Sequence, residues 1–188
     1  LAGGEGRVRS KALLVGEVAL FSALLIATRF FRLRLHVPGA GSMAWIAVLV
    51  IVRGLSEYPA TATLVGLVSG IVITVTGLDM PPGPQQVLKY VLAGAVVDAL
   101  GYLMLRRFRN PLSYGVAGGV ASVAKLLSVY LIALVLNLPV FVVKAVLTYV
   151  AVLNFTFGAI ADVVAFYVVK VAVTVVRNEE RGGRGHQP

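Results

Sequence analysis

Apolar runs follow one another along almost the whole chain, separated only by short basic or Pro/Gly-containing breaks. In lipid every backbone polar group needs an internal partner, so runs of this length are readable only as membrane helices or as a very large buried core. Charged residues make up 13% of the chain, about half the share of a soluble domain, and mean hydropathy is +0.91. The membrane reading is therefore favoured, with the cell membrane and a multi-pass topology as the expectation.

The breaks divide the runs. The basic start "RVRSK" precedes an apolar run that lacks a small-residue cleavage site, so that run reads as span 1, about Lys11–Phe31. The basic loop "RLRLHVPGAGS" follows it. Span 2 is about Met43–Tyr58 and stops at Pro59, since the residue before a proline disfavours helix. Span 3 is about Ala60–Gly77, closed by the breaker "LDMPPGP". Span 4, Gln85–Leu105, ends at "RRFRNP", and span 5, Ser113–Leu136, ends at "NLP". The last run, Val140–Val176, has 37 residues. As one helix it would rise roughly 55 Å, against a hydrocarbon core of about 30 Å. A split near "LNFTFG", Leu153–Gly158, is therefore expected. The first part would cap the bundle or re-enter it, and Phe155–Val176 would be span 6; the alternative is seven spans. The organisation is one transmembrane domain, 11–176, between polar tails 1–10 and 177–188.

Lys and Arg near span ends set the orientation. With six spans and the N-terminus inside, the inner segments hold Arg7, Arg9, Lys11, Arg53, Arg106, Arg107, Arg109, Arg177, Arg181 and Arg184. The outer segments hold Arg29, Arg32, Arg34, Lys89 and Lys144. Inner cations outnumber outer ones, so both termini are expected inside. The three arginines at the first loop break the rule: they are a topology anomaly or an attraction for an anionic ligand. The net charge of +9 is explained by topology, without nucleic acid. There is no cysteine and there are two histidines, His36 and His186, so neither a metal site nor a bound cofactor is expected.

In span 1, "EVALFSALLIATRF" places Ala19, Ala23 and Ala27 four residues apart, on one stripe of the helix. Small residues let helices approach closely in lipid. The stripe would pack on another span of the chain or receive a separate subunit. Glu17 stands beside it and is expected at the same partner interface.

Ionisable groups inside spans are functional candidates by default. They are Glu17, Lys89, Asp98, Lys125, Asp162 and Lys170; Asp98 lies deep in span 4, Lys125 near the middle of span 5 and Asp162 in the outer half of span 6, and Lys125 is expected to pair with Asp98 or Asp162. Arg53 and Glu57 have i,i+4 spacing for a structural pair. A small aromatic ligand needs stacking rings and convergent polar groups. The candidates are Trp45, Gln86, Lys89, Tyr90, Tyr130, Asn137, Tyr149, Asn154 and Thr156. Trp45, Lys89, Tyr90, Lys125, Asn154 and Asp162 form the preferred substrate-binding set.

The order of these features resembles the substrate-binding S components of energy-coupling factor (ECF) vitamin transporters. It runs from the alanine stripe through "HVPGAG", "YPATATLVGLVSGIVITVTG" and "YVLAGAVVDALGYLML" to "FGAIADVVAFYVVK". The region of spans 3 and 4 is most similar to S components for hydroxymethylpyrimidine or thiamine. The resemblance implies an all-α, six-helix protein that captures a small vitamin or precursor near the outer face. It implies partners, a transmembrane T component and two ABC-type ATPases, with Ala19, Ala23 and Ala27 on the T component. No G-x-x-x-x-G-K-[ST] motif occurs, so energy would have to come from such partners. Two other readings stand beside it. An autonomous ion-coupled transporter would use Asp98, Lys125 and Asp162 as a relay and is expected to show inverted repeats, which the sequence lacks. A membrane enzyme needs a cluster of acids, histidines or cysteines at one surface, and no catalytic set of that kind is visible.

Overall fold

A computed structural model describes residues 2–32, 40–79, 83–105, 110–135 and 140–184. Among them every regular element is helical: α1 Ala2–Arg32, α2 Ala40–Leu55, α3 Thr61–Thr76, α4 Pro84–Leu100, α5 Pro111–Val135 and α6 Val140–Arg184. A π-helical turn, Gly101–Leu105, continues α4. Most of the basic first loop, with His36, and also Asn137 lie outside the described residues.

Among the described residues, four apolar stretches are long enough to cross a membrane: Lys11–Arg29, Pro84–Leu103, Pro111–Leu131 and Thr148–Val175. α2 and α3 are shorter apolar helices of 16 residues each. Each rises roughly 24 Å, somewhat less than the hydrocarbon core of a bilayer.

The helices run up and down, as cross-contacts at both ends show. Near the α2–α3 turn, Ser56 Oγ donates to Glu17 Oε2 at 2.7 Å. At the opposite end Arg29 of α1 meets Asp79, which follows α3. α2 packs on all five other helices and supplies much of the core: Trp45, Ile46, Leu49, Val50 and Val52 are fully or almost fully buried. A short apolar helix is thus placed at the middle of the bundle, in contact with every other helix.

Two helix pairs are fitted backbone to backbone. A Cβ at Gly66 would collide with the carbonyl of Tyr90, and one at Gly94 with the carbonyl of Ala62. These contacts draw α3 and α4 together without any long side chain between them. α5 and α6 meet in the same way, with Gly158 against Gly118 and Ser122. Without a hydrophobic driving force in lipid, such close approach is what holds helices together.

The ends follow local chemistry. Asn110 caps α5, accepting from Ser113 N at 2.7 Å, with Pro111 at the first helical position. Gly77 closes α3 in the left-handed region, φ 65. Arg53 Nη1 donates to the carbonyls of Ser56 and Tyr58, fixing the turn after α2.

The expected split of the last run is overturned. α6 passes through Leu153–Gly158 unbroken. The polar groups that suggested a break are satisfied inside the helix: Asn154 Nδ2 donates to Val150 O at 2.7 Å, and Thr156 Oγ1 to Val152 O at 3.0 Å. Gly158 serves helix packing. A helix of 45 residues rises roughly 68 Å and extends well beyond a bilayer core. Much of the two tails continues helix, since α1 begins at Ala2 and α6 ends at Arg184.

Candidate functional site

One face of α1 carries Ser22, Leu25 and Arg29, all buried, at spacings of three and four residues. Arg29 is thereby drawn into the bundle, although it stands near the end of an apolar run. Its guanidinium lies over two rings, 5.4 Å from the centre of Trp45 and 5.1 Å from that of Tyr90. Those rings meet edge to face with centroids 4.8 Å apart. Cation–ring contacts of this kind are worth about 2 kcal/mol when desolvated.

Asp79, just past the left-handed Gly77, turns into the same cluster. Its Oδ2 lies 3.6 Å from Arg29 Nη2 and accepts hydrogen bonds from Lys89 Nζ and, at 3.2 Å, from Tyr90 Oη. Lys89 also lies over the Tyr90 ring, 4.9 Å from its centre. Lys125 of α5 comes within 5.7 Å of the Trp45 ring centre and donates to Asn154 Oδ1 of α6. Buried Gln86 stands one helical turn before Tyr90 on α4. The cluster therefore joins α1, α2, α4, α5, α6 and the end of α3. Arg29, Trp45, Asp79 and Tyr90 expose 3%, 1%, 6% and 0% of their surfaces, so the Arg29–Asp79 pair lies in a low-dielectric interior, while Lys89 is half-buried.

Five of the six preferred substrate-binding residues are thus brought together: Trp45, Lys89, Tyr90, Lys125 and Asn154. Asp162 is not among them. It lies two helical turns further along α6, fully buried against Gly118, and neither carboxylate oxygen has a hydrogen-bond partner. The expected pairing of Lys125 with Asp98 or Asp162 does not form, because Asn154 is closer to hand on the facing helix.

Asp98 is held at the opposite end of the bundle. It accepts from Ala62 N at 3.2 Å, from Thr63 N at 2.7 Å and from Thr63 Oγ1 at 2.6 Å. α3 has no side-chain cap of its own at Ala60, and Asp98 supplies one from α4. A carboxylate there meets the free N–H groups and the positive end of the helix dipole. Arg53 lies 3.6 Å from Asp98, so the expected Arg53–Glu57 pair gives way to a longer-range one; Glu57 is exposed. Glu17, expected at a partner interface, is met by Ser56 within the chain.

The remaining candidates scatter. Tyr130 lines a shallow apolar groove of about 360 Å³ between α5 and α6. Tyr149 and Thr156 are exposed. On α1, Ala19 and Ala23 are exposed and Ala27 is half-buried; Gly16 has open space around it. The alanine stripe is therefore turned away from the face that packs in the bundle.

Two members of the cluster, Arg29 and Asp79, were not among the expected ligand residues. Arg29 was counted as a topology charge and Asp79 as part of a breaker loop. The signal for Arg29 was its register with Ser22 and Leu25. For Asp79 it was its standing as the single acid in the run from Tyr58 to Val97. No family model, curated protein or solved structure matches the chain.

Proposed function

We propose that the chain is the substrate-binding membrane subunit of an ECF-type importer, capturing a small vitamin-like solute in the cluster around Trp45. The observation that carries this reading is the cluster itself. Two rings in edge-to-face contact, three cations, one acid and an amide converge from five helices and the end of α3 at one end of an apolar bundle. A structural core has no need of so many charges, and buried charge in a membrane protein marks substrate or ion paths by default. In this reading the cluster end faces outward, all six helices cross the membrane, and both termini are inside.

The uncovered alanine stripe supports the same reading. Ala19, Ala23 and Ala27 would meet a transmembrane T component, itself bound to two ATPases. The relay of an autonomous ion-coupled transporter has less support, because Asp98 and Lys125 are engaged at opposite ends and Asp162 meets neither.

Co-purification tests the proposal. The tagged chain is expected to bring down a T component and two ATPases from its native membrane. Ala23→Trp is expected to abolish that assembly while the isolated subunit stays folded, since Ala23 is exposed. Unchanged assembly in the variant would remove the docking role. Solute transport by the isolated chain in liposomes under an ion gradient would replace the proposal with the secondary-transporter reading.

A further inference from the structure

The α5–α6 pair holds a buried acid that the charged cluster does not use. Asp162 exposes 0% of its surface, and neither carboxylate oxygen has a hydrogen-bond partner. It faces Gly118 so closely that a Cβ there would fall on the carboxylate. One turn along the same face of α5, Ser122 is also fully buried with its Oγ unmet, and it lies against Gly158 in the same way. Two polar side chains and two glycines thus alternate across one backbone-close interface.

No counter-charge meets the acid. α6 packs against α5 and α2. On α5, Lys125 stands seven residues beyond Gly118, roughly 10 Å by helical rise, and donates to Asn154. Tyr114 stands one turn before Gly118, with its ring against Phe166. On α2 the cation is Arg53, which lies beside Asp98; its neighbour Gly54 meets Val169, seven residues past Asp162. On α6 itself, Tyr167 and Lys170 are exposed. An ionised carboxylate enclosed without a donor or a counter-charge is costly in an apolar interior, and a proton removes that cost. A proton also adds no volume. Gly118 fills the space in front of the carboxylate, so a metal cation would have to part the helices to enter.

We propose that Asp162 is a proton-binding site within the bundle, and that α5 and α6 keep this close contact only while the carboxyl carries its proton. Release leaves the carboxylate and hands the proton to water; no electrons move. The carboxylate then needs water around it, and water reaches it only where Gly118 and Gly158 draw back from the facing helix. Lys125 and Asn154 ride on the same two helices, so the proton sets the spacing on one side of the Trp45 cluster. The inference stands on the α5–α6 contact alone and does not depend on the solute-binding reading.

Infrared spectroscopy of the full chain in neutral-lipid nanodiscs distinguishes a protonated carboxyl from a carboxylate. At neutral pH a protonated-carboxyl band is expected, lost in Asp162→Asn and retained in Glu57→Gln, at an exposed position. Asp162→Ser, neutral and smaller, gives the same comparison where Asp162→Asn does not fold. No such band at neutral pH, or a band undiminished in the Asp162 variants, overturns the inference. The chain has no cysteine, so spin labels can be placed at Val120→Cys on α5 and Ile160→Cys on α6, both exposed. The distance between the labels is expected to increase from neutral to alkaline pH, and to stay constant once the acid is replaced. An equal change with and without Asp162, or no change while the protonated band disappears, overturns the inference.

Discussion

Asp98 and Asp162 are both buried acids on helices, and their surroundings differ. Asp98 has three hydrogen-bond donors and the Arg53 cation, and it closes the start of α3. Asp162 has no hydrogen-bond partner at either oxygen. Removing one partner of a buried ion pair costs about 3–5 kcal/mol, because the other charge stays behind unpaired. Asp98→Ala is therefore expected to lower the thermal midpoint by on the order of 10 °C. Asp162→Asn, which keeps the shape at a carboxyl with no partner at either oxygen, is expected to hold the midpoint or raise it by a few degrees. Thermal unfolding in one detergent, read by circular dichroism, checks both. A larger loss in Asp162→Asn than in Asp98→Ala would show that Asp162 has a partner of greater weight than Asp98 does.

At the level of elements, the α3–α4 pair carries the end of α3 and the start of α4 that present Asp79, Lys89 and Tyr90. Its spacing is set by Gly66 and Gly94, which touch the facing backbone. Gly94→Leu is expected to separate the two helices, disturbing the Trp45–Tyr90 contact and abolishing cooperative melting together. Gly16→Leu, at a glycine with open space, is expected to leave both unchanged. Size-exclusion profiles and Trp45 emission measure the two effects. Helix positions were largely legible in the sequence, because apolar runs and Pro/Gly breaks act locally. The exception was Leu153–Gly158. The length of the last run asked for a break there, yet Asn154 bonds back to Val150 and Gly158 packs on α5, so the helix goes through. Only the facing helix makes that choice, and it is remote in sequence.

For the whole molecule, the sequence pointed to the right chemistry at the cluster more than to its membership. Trp45, Lys89, Tyr90 and Asn154 were legible as polar or aromatic residues in the outer halves of the spans, and Lys125 as an ionisable group near the middle of one. Arg29 was not, because counting cations treats every arginine near a span end as solvated. Its burial depends on α2 offering Trp45 across from it, a tertiary fact. Asp162 shares the α6 face with Asn154 but meets Gly118, a small residue that leaves room for the acid without a partner. The bundle is thus a set of closely fitted apolar helices with one charged, ring-lined centre. The most direct measurement of that claim is native mass spectrometry of the chain purified in mild detergent, beside its Lys125→Gln variant. The account predicts a one-to-one adduct of a small solute on the unaltered chain, and loss of it in the variant. Adducts of lipid alone, kept equally by both, would contradict it.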